Sequence, residues 1–245
     1  MILSRQNKIV KDTAALKDKK ARRERGEYLV EGEKAVSEAV RCGARIGLIL
    51  GEPSLVSKYS GKGAEIVETS REIADHCADS VTPQGIVATI AIPKTPVKKP
   101  DGVSVILDGV KDPGNVGTII RTCAALGIRN VYLIDCADAY SPKCVRSSMC
   151  GIFHVDIFEI TYETADGLFK DSDVYIADMG GENVFDFRPG EEFCLVVGSE
   201  SHGVSEFFRS RAKKVLAIPM SDNMESLNAA ISCSIILYQL VKKPF

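Results

Sequence analysis

The 245-residue sequence has no long apolar run and no Cys-x-x-Cys pair, and its first residues do not have the pattern of an export signal. A membrane-spanning helix needs about 18 or more consecutive apolar residues, so we expect none. Residues 1–25 lack the apolar core and small-residue cleavage site of a signal peptide. Eight cysteines in such a chain favour a reducing environment, so we expect a cytoplasmic protein. Without a Cys-x-x-Cys pair we expect no metal site.

The charge of the chain is unevenly distributed, although the formal net charge is only -2. A chain that is 45% hydrophobic and 26% charged is globular rather than disordered. Residues 1–100 contain 18 lysines and arginines against 13 aspartates and glutamates, whereas the remaining residues contain 13 and 20. This asymmetry favours two functions in one chain, although a solvated helical face would also account for it.

A segment rich in proline and lysine, PKTPVKKPDG, divides the chain into two parts. Proline fixes φ and disfavours helix in the residue before it, so we expect an extended linker over 96–102 between domains 1–95 and 103–245. The first part shows helical and strand patterns in alternation. The predicted helices are Ser4–Arg25, Glu33–Arg41 and Ser70–Cys77, and the predicted strands are Ile46–Leu50, Glu65–Thr69 and Ile86–Ile92.

The second part alternates near-continuous apolar runs with helical patterns. This alternation is typical of an α/β domain with a mostly parallel sheet. The predicted strands are Val103–Leu107, Val131–Ile134, Val174–Ala177, Leu195–Val197 and Val215–Ile218. The predicted helices are Gly117–Leu126, a segment near Val145–Cys150, Glu206–Arg209 and Ala229–Leu240. The last of these is almost entirely apolar, so we expect it to be buried against the sheet or a partner subunit.

The loop after the first apolar run combines turn residues with an asparagine and an arginine. Pro113, Gly114 and Gly117 predict a turn whose backbone can approach a ligand closely. Asn115 lies in this turn, and Arg121 lies on the second turn of the helix that follows. The segment is neither a Walker phosphate loop nor a dinucleotide-binding fingerprint. A simple turn beside a surface arginine would also account for it.

Two further loops follow predicted strands in the same way, at the edge where open α/β sheets bind ligands. In GSESHGVS, Gly198 and Gly203 flank Glu200, which could instead cap the next helix. In PMSDNMESLNAA, Ser226 and Asn228 precede the apolar helix, and Ser226 could instead be its N-cap.

Taken in order, the three loops resemble the three motifs of SpoU-type (TrmH-like) RNA 2′-O-ribose methyltransferases, a branch of the SPOUT superfamily. The matching residues are Asn115, Gly117 and Arg121, then Gly198, Ser199, Glu200 and Gly203, then Ile218–Met220 and Glu225–Asn228. The resemblance extends to residues 143–155 and, more loosely, to residues 27–40 and 81–88. Ser201 and Asp222 stand where many members have glycine.

The resemblance implies a homodimeric SPOUT fold with a carboxyl-terminal trefoil knot, preceded by a small α/β substrate-binding domain. It implies S-adenosylmethionine as the cofactor and Arg121 as the central catalytic residue, acting as a general base or as a clamp for phosphate that also orients the hydroxyl. The other implied catalytic residues are Asn115, Glu200, Ser226 and Asn228. The implied cofactor-binding residues are Met179, Gly180, Gly198, Ile218, Met220 and Leu227.

The basic amino-terminal part suggests where RNA binds. The candidate RNA contacts are Lys8, Lys11, Lys19, Lys20, Arg22, Arg23, Arg25, Lys143 and Arg146. The chain has no aromatic RRM motif, which favours a structured RNA. The resemblance favours ribosomal RNA over tRNA. The alternatives are a tRNA 2′-O-methyltransferase, a non-catalytic RNA-binding protein with the same fold, and an unrelated nucleotide-binding α/β enzyme.

Overall fold

The computed structural model describes residues 1–241, and the chain forms two compact units. Unit 1 comprises Met1–Lys94 with Tyr140–Phe153, and unit 2 comprises Thr95–Ala139 with the chain from His154 onward. The first boundary lies next to the end of the predicted domain 1–95, but residues 140–153 belong to unit 1 rather than to the part beginning at residue 103. The last four residues of the predicted domain 103–245 lie outside the described residues. Within residues 1–241, none of the helices has the length and apolar character that crossing a membrane requires.

Unit 1 is built on a four-stranded sheet with the strand order β1-β4-β2-β3. The β2–β3 pair is parallel, and the other two pairs are antiparallel. Its strands are β1 (Glu27–Glu31), β2 (Ile46–Gly51), β3 (Glu65–Glu68) and β4 (Ile86–Ala91). Its helices are α1 (Lys8–Ala15), α2 (Lys19–Arg25), α3 (Glu33–Arg41), α4 (Pro53–Val56), α5 (Arg71–Cys77) and α7 (Pro142–Ser147). Buried side chains from α1, α5 and all four strands form its core.

The basic segment at the start of the chain forms two helices, not the single helix predicted over Ser4–Arg25. The chain leaves α1 at Leu16, and the side chain of Asp18 caps the first turn of α2. Arg22 is only 3% exposed and donates to the carbonyl oxygens of Leu16 and Lys17, each at 2.8 Å. It therefore satisfies carbonyl groups that the end of α1 leaves open. Because the Arg22 side chain is buried and used in these bonds, the structure argues against the predicted RNA contact at Arg22.

Unit 2 contains a six-stranded sheet in the order β10-β8-β9-β5-β6-β7, in which all neighbouring strands are parallel. The α/β class and the parallel sheet expected from the sequence are thus confirmed. Its strands are β5 (Val103–Asp108), β6 (Asn130–Ile134), β7 (Asp156–Ile160), β8 (Val174–Asn183), β9 (Phe193–Gly198) and β10 (Lys214–Ala217). Its helices are α6 (Pro113–Leu126), α8 (Tyr162–Leu168), α9 (Glu206–Arg209) and α10 (Ala229–Leu240).

Helix α6 begins four residues before the predicted start at Gly117. The side chain of Asp112 accepts a hydrogen bond from the Asn115 N–H at 3.0 Å and so caps the helix, and Pro113 occupies its first position. Asn115 therefore lies in the first helical turn rather than before the helix. Arg121 lies in the third turn, one turn later than predicted.

A buried carboxylate connects the end of β5 to the start of α9. Asp108 is 3% exposed, and its Oδ1 accepts a hydrogen bond from the Tyr162 hydroxyl at 2.6 Å. Its Oδ2 accepts from the Ser205 N–H at 2.7 Å. Burial, reinforced by the hydrogen bond to Asp108, raises the pKa of Tyr162 to about 12. Only the neutral form of the Tyr162 hydroxyl can donate this hydrogen bond to Asp108.

We expect Asp108→Ala to lower the free energy of unfolding by about 3 kcal/mol, because it leaves two donors without an acceptor in partly buried surroundings. Chemical denaturation of the purified protein measures this loss. The control is Asp171→Ala, which removes an exposed ion pair with Lys99 and should cost less than about 0.5 kcal/mol. Equal losses in the two variants would contradict this role for Asp108.

Chemical denaturation at alkaline pH tests how much the Tyr162 hydroxyl contributes to stability. Because the pKa of Tyr162 is raised by folding, its stabilising effect is complete below about pH 10 and is lost as the pH rises towards 12. Tyr162→Phe should remove this share of the alkaline loss of stability. An unchanged alkaline profile would show that Tyr162 does not contribute to it.

Candidate active site and RNA-binding residues

A cavity of about 460 Å³ lies in unit 2 at the carboxyl ends of β9 and β10, beside β8. Its volume falls within the range of about 300–1,000 Å³ that is typical of small-molecule sites. The lining residues come from segments 177–179, 197–209, 216–220 and 226–236. The segment 197–209 contains the second motif, and the segments 216–220 and 226–236 contain residues of the third motif. The cavity therefore lies where open α/β sheets bind their ligands.

The glycine loop after β9 is closed by two backbone hydrogen bonds. The Ser199 N–H donates to the Gly203 carbonyl at 3.0 Å, and the Gly203 N–H donates to the Ser199 carbonyl at 2.9 Å. A Cβ atom at Gly198 would overlap the carbonyl group of Gly203, and Gly203 itself has a φ of +67°. Both positions thus require glycine. Glu200 and Ser201 lie exposed at the tip of this loop, where the Ser201 hydroxyl bonds to a neighbouring histidine.

Three of the predicted catalytic side chains form a chain of hydrogen bonds. The Asn115 side-chain amide donates to the Glu200 carboxylate, and the Asn228 amide donates to Asn115 Oδ1 at 2.9 Å. Asn228 Oδ1 also accepts from two backbone N–H groups of α10, so Asn228 is the N-cap of that helix. The alternative of an N-cap at Ser226 is therefore wrong. Ser226 is exposed and lines the cavity.

Arg121 does not line the cavity of its own chain. Its side chain lies exposed on α6, and no hydrogen bond or ion pair involves it within residues 1–241. The five N–H donors of its guanidinium group are therefore available to a ligand. The structure thus brings Asn115, Glu200 and Asn228 together, with Ser226 at the same cavity, but it does not bring Arg121 to them.

Most of the predicted cofactor-binding residues line the cavity: Met179, Gly198, Ile218, Met220 and Leu227. Gly180 does not line it, and its N–H donates to Asp178 Oδ1 at 3.1 Å. In the described part of the chain, no hydrogen bond uses the backbone of Ile218, Met220 or Leu227. These backbone groups can therefore bond to a ligand. Asp222 lines an adjacent cavity of about 370 Å³ that shares Ile218 and Met220.

The cavity also contains an ion pair that sequence reasoning missed. Arg209 Nη2 lies 2.5 Å from Asp178 Oδ2, and both residues line the cavity. Burial raises the pKa of Asp178, but the hydrogen bonds from Arg209 and Gly180 and the charge of Arg209 outweigh it, and the pKa lies below its ordinary value. Asp178 is therefore ionised at neutral pH. The sequence did contain a signal for Asp178, because this residue directly follows the predicted strand Val174–Ala177.

The predicted RNA contacts differ in their exposure and in the ion pairs that they form. Arg25 is paired with Asp12 and Glu27, and Arg146 is paired with two carboxylates of unit 1. Lys20 lies 3.9 Å from Glu24 in an exposed helical pair. The exposed members of the set on α1, α2 and α7 are Lys8, Lys11, Lys19, Lys20, Arg23, Arg25 and Lys143.

Comparison with known proteins assigns both parts of the chain. Residues 102–238 match the SpoU rRNA Methylase family, and residues 7–88 match the MRM3-like substrate binding domain. The chain belongs to the SpoU rRNA methylase family. The resemblance recognised from the three sequence motifs is thereby confirmed.

Relatives of this SpoU methylase match it over nearly its whole length. The 23S rRNA (guanosine(2553)-2′-O)-methyltransferase RlmP of Bacillus subtilis is 30% identical over 244 residues, which cover 98% of each chain. An AdoMet-bound rRNA methyltransferase from Sinorhizobium meliloti has a TM-score of 0.88 at 27% identity, covering 97% of this chain and 95% of the other. The SpoU methyltransferase AviRb from Streptomyces viridochromogenes, solved with AdoMet, has a TM-score of 0.83 at 27% identity, covering 96% and 97%.

In this SpoU methylase we expect Gly198→Ala to weaken binding of S-adenosylmethionine at least tenfold, because the added methyl group forces the loop away from Gly203. Calorimetric titration measures the affinity. Gly190→Ala is the matched control, because nothing lies within 4 Å of a Cβ atom at that position, and its affinity should stay within about twofold of the parent. Normal binding by Gly198→Ala would show that the loop geometry does not shape the cavity.

Proposed function

We propose that this SpoU methylase transfers a methyl group from S-adenosylmethionine to a ribose 2′-hydroxyl of structured RNA. The observation that carries the proposal is the hydrogen-bonded chain of Asn115, Glu200 and Asn228 beside a cavity lined by the second and third motifs. Ribosomal RNA is favoured over tRNA, because the full-length relative RlmP is named for a 23S rRNA nucleotide. A tRNA 2′-O-methyltransferase remains the alternative within the same chemistry.

The residues of the cavity fit S-adenosylmethionine in polarity and charge. Apolar side chains such as Leu216 and Ile236 suit the adenosine, while the open backbone groups of Ile218 and Leu227 suit its polar edge. Because Arg209 offsets the charge of Asp178, the Glu200 carboxylate leaves the cavity with a net negative charge, which favours a ligand that carries positive charge. When bound, this cofactor supplies a methyl group that its positively charged sulfur has already activated.

Because the methyl group is activated in advance, the residues of the protein mainly have to position the hydroxyl and assist loss of its proton. A guanidinium group keeps its proton in proteins and is therefore a poor base. We therefore assign Arg121 to clamping a phosphate and orienting the hydroxyl, for which its planar fork is suited. Asn115 and Asn228 fix the Glu200 carboxylate, which can accept a hydrogen bond at the cavity.

A non-catalytic RNA-binding protein with the same fold is the second candidate. The structure favours catalysis, because the nitrogen of the Asn115 side-chain amide bonds to Glu200 while its oxygen bonds to Asn228. These two bonds fix all three side chains relative to one another. A protein that only binds RNA through unit 1 has no need of this arrangement in unit 2. The third alternative, an unrelated nucleotide-binding enzyme, is excluded by membership of the SpoU family.

We also propose a homodimer formed through the catalytic domain. Ile231 and Tyr238 on α10 are apolar yet 51% and 55% exposed. Helix α10 is joined to α6 by a hydrogen bond of 2.8 Å between the hydroxyls of Ser234 and Thr122. An exposed apolar face of this kind is typical of a subunit interface. A dimer would also allow Arg121 of one protomer to serve the cavity of its partner.

Several expectations from the sequence stay predictions. They are the cytoplasmic location, the trefoil knot, and the division into an RNA-binding domain over 1–95, a linker over 96–102 and a catalytic domain over 103–245. The match of residues 7–88 to a substrate binding domain supports an RNA-binding role for the first part.

We expect Arg121→Ala to abolish methyl transfer to ribosomal RNA while leaving S-adenosylmethionine affinity and a dimeric mass by light scattering unchanged. Arg121→Lys should lose about 100-fold in rate, because the ammonium group cannot reproduce the planar fork. The control is Arg129→Ala, which removes an exposed arginine 3.7 Å from Asp156 and should keep nearly the full rate. Full activity of Arg121→Ala would remove Arg121 from the catalytic residues.

Removing charge from α1 and α2 should weaken RNA binding in a salt-dependent way. We expect Lys11→Ala/Lys19→Ala to reduce the slope of log affinity against log salt by about 1.4–1.8, because each lost phosphate contact removes about 0.7–0.9. Fluorescence titrations with ribosomal RNA at several salt concentrations give the slope. The double variant Lys94→Ala/Lys170→Ala removes the same charge from exposed positions elsewhere. Equal changes in both variants would show that α1 and α2 are not the contact surface.

A further inference from the structure

Unit 1 contains a cavity of about 330 Å³ that none of the residues proposed for methyl transfer lines. It is formed by the end of β1, the start of α3, the loop 80–84 and the segment 142–150. Its walls include the apolar residues Leu29, Ala35, Pro142, Val145 and Met149. Met149 is 53% exposed although it is apolar. Walls of this kind suit a flat apolar ring.

Arg146 is held at this cavity by two carboxylates. Its Nη1 donates to Glu31 Oε1 at 2.6 Å and to Asp79 Oδ2 at 2.7 Å. The other oxygen of Glu31 accepts from the Ser80 N–H at 3.0 Å and from the Ser80 hydroxyl at 2.8 Å, so this carboxylate is itself held in place. These two carboxylates offset the charge of the Arg146 guanidinium group, and Lys34 is a further basic residue that lines the cavity. In the described part of the chain, Nε and Nη2 of Arg146 have no partner and remain as donors.

Gln84 adds a second fixed donor group to the same cavity. Its Oε1 accepts a hydrogen bond of 3.2 Å from the Glu33 N–H in the first turn of α3. Gly32 makes this possible, because it has a φ of +89° and a Cβ atom there would lie only 2.9 Å from Gln84 Oε1. The oxygen of the amide is therefore occupied, and its two N–H donors are left for a ligand.

The wall formed by the segment 142–150 is strained. Met149 and Cys150 are consecutive non-glycine residues with φ values of 47° and 72°, in the left-handed region. Such a backbone costs free energy and persists where the surrounding structure imposes it, often at binding sites. Here it follows the end of α7 and accompanies the exposure of Met149 at the cavity.

We propose that this cavity binds one unstacked RNA base with a carbonyl oxygen at O6 or O4, which means guanine or uracil. The donors of Arg146 and Gln84 complement an oxygen at that position, whereas adenine and cytosine carry an amino group there and would direct a donor at them. The apolar walls suit the faces of the ring, as in other sites for bases taken out of the stack. Because two carboxylates offset the charge of Arg146, its remaining donors suit a neutral base. This inference rests on the proposal that RNA is the substrate.

The variant Gln84→Glu tests the site, because it keeps the oxygen that accepts from Glu33 and replaces the two donors by an acceptor. We expect it to bind deproteinised ribosomal RNA about tenfold more weakly at fixed salt, with unchanged affinity for S-adenosylmethionine. Ser60→Glu adds the same negative charge at an exposed position of unit 1 outside the cavity and outside α1 and α2, and its affinity should stay within twofold. Equal weakening in the two variants would overturn the proposal.

Photocrosslinking then identifies the base. Transcripts of the same RNA carry either 6-thioguanosine or 4-thiouridine, and a crosslink to a peptide containing Met149 from one of them, lost in Gln84→Glu, supports the site. Crosslinks that avoid residues 29–35, 80–84 and 142–150 with both transcripts would contradict it. Methyl transfer by the unaltered protein, measured on the same RNA, reports separately on the proposed function. If transfer occurs and the crosslinks avoid the cavity, only the base site is overturned.

Discussion

Six parallel strands end at one edge of the sheet in unit 2, and the candidate active site depends on that alignment. Because β9 lies directly between β8 and β5, the loops that follow these strands meet although they are far apart in the chain. Asn115 and Glu200 are 85 positions apart, and Asn115 and Asn228 are 113 positions apart, yet all three side chains are joined by hydrogen bonds. An antiparallel sheet would have placed these loops at opposite edges.

Two features form the cavity at this edge of the sheet: close packing of the backbone around glycine, and hydrogen bonds between buried polar groups. The absence of a side chain at Gly198 lets the glycine loop fold back on itself. Asp108 then holds the end of that loop to β5 through the Ser205 N–H. In unit 1, Gly32 has the corresponding effect, because it lets Gln84 approach the start of α3. In both units a glycine makes room for polar groups that a ligand can use.

The sequence predicts the central strands of unit 2 well, because buried parallel strands are near-continuous apolar runs. It misses β7, where the alternation in Asp156–Ile160 is half polar, and it shortens β8, whose last residues leave the apolar core. The three motifs locate most of the active site, because they are local in sequence. The Asp178–Arg209 pair and the cavity of unit 1 could not be predicted in this way. Their members are brought together only by the fold, as Glu31 and Arg146 show at 115 positions apart.

We propose that this chain methylates a ribose 2′-hydroxyl of ribosomal RNA. Mapping 2′-O-methylated nucleotides tests this directly, in the RNA of cells with and without the protein and of cells that carry only the Arg121→Ala variant. We expect one ribosomal RNA site that loses its methyl group both when the protein is absent and when it carries that substitution. An unchanged map in cells without the protein, or a site fully methylated by the Arg121→Ala variant, would contradict it.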